Sequence, residues 1–209
     1  MIILDLGSGS TCRNEKRVVK KMIDSIADVD SRRKCYLKFQ LWSKGSEPQC
    51  VKLNWALFKW AFVYAEGLGF RTTASVFDKA ALDYLLTFDV PFVKIANRPY
   101  LRPLQRYIPR GIPVVRSVYD FMPQIHTGFV YGDVYEMACV TNYPATTEEY
   151  EDHFKAHLEV GISDHTIGLD LWRKYKPDIY ERHFRLPDST GPDAGAWAAT
   201  PDDLREILA

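Results

Sequence analysis

Eight short apolar runs recur along this chain, and nearly every one ends in a polar group able to do chemistry. The runs are Ile2–Leu6, Cys35–Gln40, Phe70–Ser75, Pro91–Ala96, Pro113–Val118, Glu136–Thr141, Glu159–Ser163 and Asp178–His183. They have strand length, and several are bounded by Gly or Pro. Their near-continuous apolar character suits parallel strands covered on the outside by helices. The connectors agree with this. Glu15–Ala27 places Val18, Val19, Met22, Ile23 and Ile26 on one helical face, and Lys52–Glu66 spaces Trp55, Phe58 and Phe62 likewise. Asp78–Phe88 opens on an Asp N-cap, Thr147–His157 on Thr-Glu-Glu and Thr200–Leu208 on Thr-Pro-Asp-Asp, while Thr166–Tyr175 is short. Asp120–Val134 holds Pro123, Gly128 and Gly132 without a helical period and is expected to be an irregular crossover. The pattern predicts an α/β fold: a compact (β/α)8 TIM barrel with short helices, one domain over residues 1–209, with an open doubly wound sheet as the competing topology.

The polar strand ends favour the barrel. In order they are Asp5, Lys38 with Gln40, Ser75, Lys94 with Asn97, Ser117, Thr141 with Tyr143, Ser163 with His165, and Glu181 with His183. Side chains alternate faces along a strand, so each listed pair two residues apart shares a face. The residues between them, such as Phe39, Val93, Ile95 and Ile162, are apolar. Any one such Lys or His is more often a solvated or hydrogen-bonded structural group. Charges gathered at one end of eight strands are costly unless paired or used. Two lysines suit an anionic substrate. Two histidines on adjacent strand ends suit a divalent metal whose remaining positions go to substrate or water.

Composition narrows the function classes. The 27 basic and 27 acidic side chains cancel, so no global field points to nucleic acid or an acidic membrane. No run approaches the roughly 20 apolar residues that span a bilayer, and Asp5 interrupts the first apolar run as no signal peptide would. The four cysteines, Cys12, Cys35, Cys50 and Cys139, form no C-x-x-C pair or zinc spacing, and Cys139 reads as a buried thiol. A reducing, cytoplasmic setting is expected.

The sequence also resembles the sialic acid (N-acetylneuraminate) synthase family. Gly161-Ile162-Ser163-Asp164-His165-Thr166 resembles its G-x-S-D-H-T motif and Glu181-Arg182-His183-Phe184 its E-[RK]-H-F motif. Gly191-Pro192-Asp193 resembles the end of P-G-P-D, with Thr190 for the first Pro. Lys38-Phe39-Gln40 matches K-F-Q, Ser75-Val76-Phe77-Asp78 stands for T-P-F-D, Val93-Lys94-Ile95-Ala96 matches F-K-I-[AG], and Cys139–Pro144 matches C-[VT]-[SN]-x-Y-P. The matches keep their order over nearly the whole chain. The resemblance implies condensation of phosphoenolpyruvate with an aldehyde or N-acetylated sugar to a 2-keto acid, assisted by Mn2+ or Mg2+. Carried over by position, His165 and His183 would bind the metal. Lys38, Gln40, Ser75, Lys94, Asn97, Ser117, Thr141, Ser163 and Asp193 would bind substrate, and Asp5, Glu181 and Tyr143 would be catalytic.

The family's first motif, E-I-G-x-N-H-N-G, is here Asp5-Leu6-Gly7-Ser8-Gly9-Ser10, one methylene shorter and lacking Asn-His. Asn97 replaces a Ser, and Arg98-Pro99 follow where the family has small residues and a Glu. The chain is expected to be a short, barrel-only member without the family's C-terminal antifreeze-protein-like domain, with an open mouth across which a homodimer could form. Two alternatives are a metal-dependent lyase or aldolase acting on another anionic substrate, and a non-catalytic relative that binds a phosphorylated ligand.

Overall fold

The computed structural model describes residues 1–44, 50–119, 133–154 and 161–209. The strands are β1 (Ile2–Asp5), β2 (Cys35–Leu41), β3 (Arg71–Val76), β4 (Val93–Ile95), β5 (Val114–Val118), β6 (Val134–Cys139), β7 (Gly161–Asp164) and β8 (Tyr180–His183). They pair in parallel in sequence order, and β1 joins β8 to close a barrel, with Asp5 opposite His183. The predicted (β/α)8 barrel is therefore the fold, and the open sheet is excluded.

The helices are α1 (Gly9–Cys12), α2 (Lys16–Val29), α3 (Trp55–Gly67), α4 (Lys79–Leu85), α5 (Thr147–Phe154), α6 (Asp170–Tyr175) and α7 (Pro201–Leu208). Their starts follow from capping chemistry. Asp78 accepts from the backbone N–H of Ala81, Asn54 from Ala56, and Thr200 with Asp203 forms a full capping box. The connector from β4 to β5 is a 3-10 helix, Pro99–Tyr107, with Pro103 inside it. A proline there removes an N–H donor and disfavours a regular α-helix. The tail of the helix expected over 147–157, the first residues of the strand expected over 159–163, and most of the crossover expected over 120–134 lie outside the described residues.

One boundary is a correction. The sixth strand was expected over Glu136–Thr141 but runs two residues earlier, from Val134 to Cys139. Thr141 and Tyr143 therefore sit on the loop after β6, both exposed, and strand alternation does not orient them. Asn97 likewise lies beyond β4.

Alternation does explain the barrel interior. Ile3, Phe92, Val115 and Met137 are fully buried and form one apolar cluster inside the barrel, with Tyr36 and Ile179 packed against it. Two residues further along the same strands stand Asp5, Lys94, Ser117 and Cys139, joined by Lys38 after Tyr36 and Glu181 after Ile179. An apolar plug thus underlies a polar layer at the carboxyl ends. The larger apolar cluster, which includes Leu4, Leu37, Phe39, Val93 and Ile95, forms between the strands and helices.

Candidate active site

A cavity of about 650 Å³ opens at the carboxyl ends of the strands. It is lined by every one of the fourteen residues singled out from the sequence: Asp5, Lys38, Gln40, Ser75, Lys94, Asn97, Ser117, Thr141, Tyr143, Ser163, His165, Glu181, His183 and Asp193. Barrel enzymes place their chemistry at this end.

The floor is a buried ionic network. Lys38, 2% exposed, donates to Asp5 Oδ2 at 2.8 Å and Ser75 Oγ at 2.9 Å. Lys94, 1% exposed, donates to Ser117 Oγ at 2.6 Å. Glu181 lies between the lysines, 3.6 Å from Lys38 and 3.5 Å from Lys94, and accepts from Ser163 Oγ at 3.0 Å. The two lysines therefore differ. Burial pushes the Lys38 ammonium down, but Asp5 and Glu181 outweigh it and raise its pKa above the ordinary value. Burial also pushes Lys94 down, and there Glu181 does not compensate against burial and the neighbouring Lys38 charge. Burial favours the neutral forms of Asp5 and Glu181. Lys38 and His183 hold Asp5 well below the carboxylate range instead, and Lys38 and Lys94 lower Glu181.

The two histidines stand side by side, with ring centroids 5.6 Å apart. His165 Nδ1 lies 2.7 Å from the Val140 carbonyl, which assigns its proton to Nδ1 and leaves Nε2 with a lone pair. Burial, then the neighbouring His183, holds the His165 pKa well below the ordinary imidazole value, so the ring is neutral. His183 Nδ1 is buried without a hydrogen-bond partner, 3.4 Å from Asp5 Oδ2. Glu181 Oε2 also lacks a hydrogen-bond partner. A neutral imidazole and an orphaned nitrogen beside a carboxylate fit a divalent cation with open positions. Among the described residues, no group of three or more His, Cys, Asp or Glu side chains is arranged to hold a metal ion, so the protein would leave much of the coordination sphere to substrate and water.

Asp193 closes the β1 and β8 side. Gln40 Nε2 donates to its Oδ1 at 3.3 Å and to Asp5 Oδ2 at 3.0 Å. Ser8 and Thr11 hydroxyls approach Asp193 Oδ2 at 3.4 Å. Gly7 makes this turn, with φ +75°, where a Cβ would lie 2.1 Å from Thr11 Oγ1. Asn97 donates to the Cys139 carbonyl at 3.1 Å.

Cys50, Phe77, Ala96, Arg98, Cys139, Pro192 and Trp197 also line the cavity but are not among the site residues expected from the sequence. Most lie on loops, where no periodicity marks them. Trp197 sits 5.7 Å from Tyr143, which in turn stacks on His165 at 4.0 Å. A local signal for Trp197 existed in Gly195, where a Cβ would lie 2.3 Å from the indole ring.

No protein-family model matches the chain. It is 27% identical over 169 residues to the N,N'-diacetyllegionaminic acid synthase of Legionella pneumophila, covering 69% of this chain and 47% of that protein. It is 25% identical over 236 residues to the mouse N-acetylneuraminate-9-phosphate synthase, covering 92% and 63%. It thus spans less than two thirds of each relative. Among solved structures, the N-acetylneuraminic acid synthetase of Leptospira borgpetersenii, in complex with citrate, superposes with a TM-score of 0.79 at 20% identity, covering 99% of this chain and 80% of that one. Closed eight-stranded topology and a charged, histidine-bearing mouth define the class as a (β/α)8 barrel with a polar cavity at the carboxyl ends of its strands. Within that class, the chain is similar in sequence to synthases of the sialic acid and legionaminic acid type.

Proposed function

We propose that this barrel condenses phosphoenolpyruvate with an aldehyde or N-acetylated sugar to form a 2-keto acid. The observation that carries this reading is the floor, where two buried lysines flank Glu181 beside two histidines. In this reading Lys38 and Lys94, with Ser75, Ser117 and Ser163, hold the carboxylate and phosphate of phosphoenolpyruvate through charge-assisted hydrogen bonds. Asn97 and Thr141 line the same space. His165 and His183 would hold Mn2+ or Mg2+, whose Lewis acidity would polarise the acceptor aldehyde. The enol carbon forms a C–C bond to the aldehyde carbon as the C=O π pair moves onto the aldehyde oxygen, the cationic C2 that results takes a water oxygen, and the proton this water loses ends on the aldehyde oxygen as a hydroxyl. Glu181, kept anionic by its lysines, takes the proton of that water. Collapse to the ketone then breaks the C2–O bond and releases phosphate. Asp5 fixes Lys38 and, with Gln40 and Asp193, bounds the acceptor side, while Tyr143 forms its wall. We assign the chain to a reducing cytoplasm, because its four cysteines form no C-x-x-C pair or zinc spacing.

The test is phosphate release from phosphoenolpyruvate, with manganese and a panel of aldehydes and N-acetylhexosamines, beside calorimetric titration of phosphoenolpyruvate. Release with at least one acceptor, matched by formation of a 2-keto acid, is the expected result. Binding without release under every acceptor would leave a phospholigand-binding protein. Absence of binding would end the proposal.

A further inference from the structure

The polypeptide beyond β8 returns to that strand and is fastened beside His183. Ala199 donates its backbone N–H to the His183 carbonyl at 2.7 Å, and Arg185 donates to the Ala199 carbonyl at 2.9 Å. One residue earlier, Ala198 donates to the Gly195 carbonyl at 3.0 Å, which closes a turn over residues 195–198 with Trp197 at its third position. Ala198 and Ala199 are buried, and Thr200 then starts α7 with its capping box. The backbone that carries Trp197 is therefore held on both sides.

The side chain is held as well. Gly195 has φ −70° and ψ −177°, values open to any residue, so backbone conformation does not explain a glycine there. Room explains it: a Cβ at this position would lie 2.3–2.4 Å from three carbons of the Trp197 indole. The indole Nε1 is buried without a hydrogen-bond partner, so packing and not a polar anchor sets the place of the ring. That ring meets Tyr143 edge-on, at 5.7 Å and 73°. Tyr143 lies on the loop after β6, 48% exposed, where no strand ladder orients it. It also stacks on His165 at 4.0 Å and 30°, and its centroid is 6.1 Å from that of His183. An exposed tyrosine is thus clamped between an imidazole and an indole, in pair geometries that are favourable beyond their area burial.

We infer that Trp197 is a positioning residue for the acceptor side of the cavity: its indole, seated on Gly195, holds Tyr143 face-on to His165 and so fixes the wall against which the acceptor aldehyde is oriented. Naming the ligand as the acceptor rests on the condensation reading, while the brace rests on ring geometry alone. Lys38 and Lys94 are held by other groups, Asp5, Ser75 and Ser117, so the phosphoenolpyruvate side should not feel the brace.

Proton NMR of the full chain without added metal reads the brace. Stacking places the His165 imidazole C–H protons in the shielding region of the Tyr143 ring, so Tyr143→Leu should move their resonance downfield. Trp197→Ala and Gly195→Ala should move it the same way, and Trp197→Phe should leave it near the wild-type position. Gly195→Ala keeps the indole and only displaces it, so agreement of the two alanine variants separates lost positioning from a lost side chain. Steady-state kinetics with manganese then read the acceptor side. Both alanine variants should raise the KM for the acceptor by roughly three- to ten-fold, the scale of an edge-to-face aromatic pair, and leave the KM for phosphoenolpyruvate unchanged. A His165 resonance unmoved in Trp197→Ala would overturn the brace. No rise in the acceptor KM, or an equal rise for phosphoenolpyruvate, would overturn its assignment to the acceptor side. If the resonance moves as expected but the wild-type protein condenses no acceptor, the brace stands and the condensation reading falls.

Discussion

Glu181, Arg182 and His183 are consecutive on β8, yet they serve two buried charge networks on opposite faces of the sheet. On the helix-facing side, Arg182 donates to Asp164 Oδ2 at 2.6 Å, to Tyr180 Oη at 3.0 Å and to the Thr166 carbonyl at 2.7 Å. Asp164 also accepts from Tyr180 Oη and from the Thr166 backbone and hydroxyl. Apart from Arg182 Nε, that network is closed on itself. On the cavity side, Glu181 Oε2 and His183 Nδ1 remain without hydrogen-bond partners, and Lys94 is held by one serine and a carboxylate at 3.5 Å. A closed network stabilises one arrangement of the barrel wall. An open one holds polar capacity ready for a ligand, at a cost in stability.

This contrast can be broken by mutation, and the largest effect should come from the closed side. Asp164→Ala should destabilise the fold by about 3–5 kcal/mol, because it strands a buried guanidinium, and urea unfolding measures it. Asp164→Leu combined with Arg182→Met should recover much of that loss. A double variant no better than the single one would mean that the pair is needed for more than its own neutralisation.

On the open side the loss should fall on binding. Lys94→Met should weaken phosphoenolpyruvate affinity by about 1–3 kcal/mol, read by calorimetry. Its melting temperature should fall far less than that of Asp164→Ala. A reversed order would show that Lys94 is chiefly structural.

A smaller effect is expected at Asp78, which caps α4 and accepts from the Ser43 backbone N–H at 2.6 Å and its hydroxyl at 2.8 Å. Asp78→Ala should cost about 1 kcal/mol of unfolding free energy. Burial pushes this carboxyl up, but hydrogen bonds from Ser43 and Ala81 outweigh it, and its pKa lies below the ordinary value. Its contribution is thus fully present above about pH 4, the ordinary carboxylate value, and is lost as pH falls through the lower folded-state value. Unfolding of wild type and variant across acid pH should show the two converge. The smallest effect belongs to the exposed Lys20–Asp24 pair, where Lys20→Ala should leave the urea midpoint essentially unchanged.

Much of the site was legible because a strand alternates faces with period two. Lys38 and Gln40, or Glu181 and His183, could be assigned a common face from spacing alone. The three-dimensional context of Thr141 and Tyr143 was not legible, since β6 ends two residues before Thr141 and the loop carries no period. Arg98 and Trp197 were missed for the same reason. No helix among the described residues is long and apolar enough to cross a membrane, in keeping with the scarcity of long apolar runs.

The sequence by itself determined the strand count and the polar groups gathered at the strand ends, because these depend on periodicity and on the burial of apolar side chains. Only the tertiary structure decided which charges meet. Lys38 lies 33 residues from Asp5 and Ser163 lies 18 from Glu181. Asp5 faces His183 through the pairing of the first strand with the last. Spacing along the chain cannot reveal that Lys38 is held charged by two carboxylates while Lys94 is shared with one. Coulombic coupling depends on distance and burial in space, and closure of the barrel sets both.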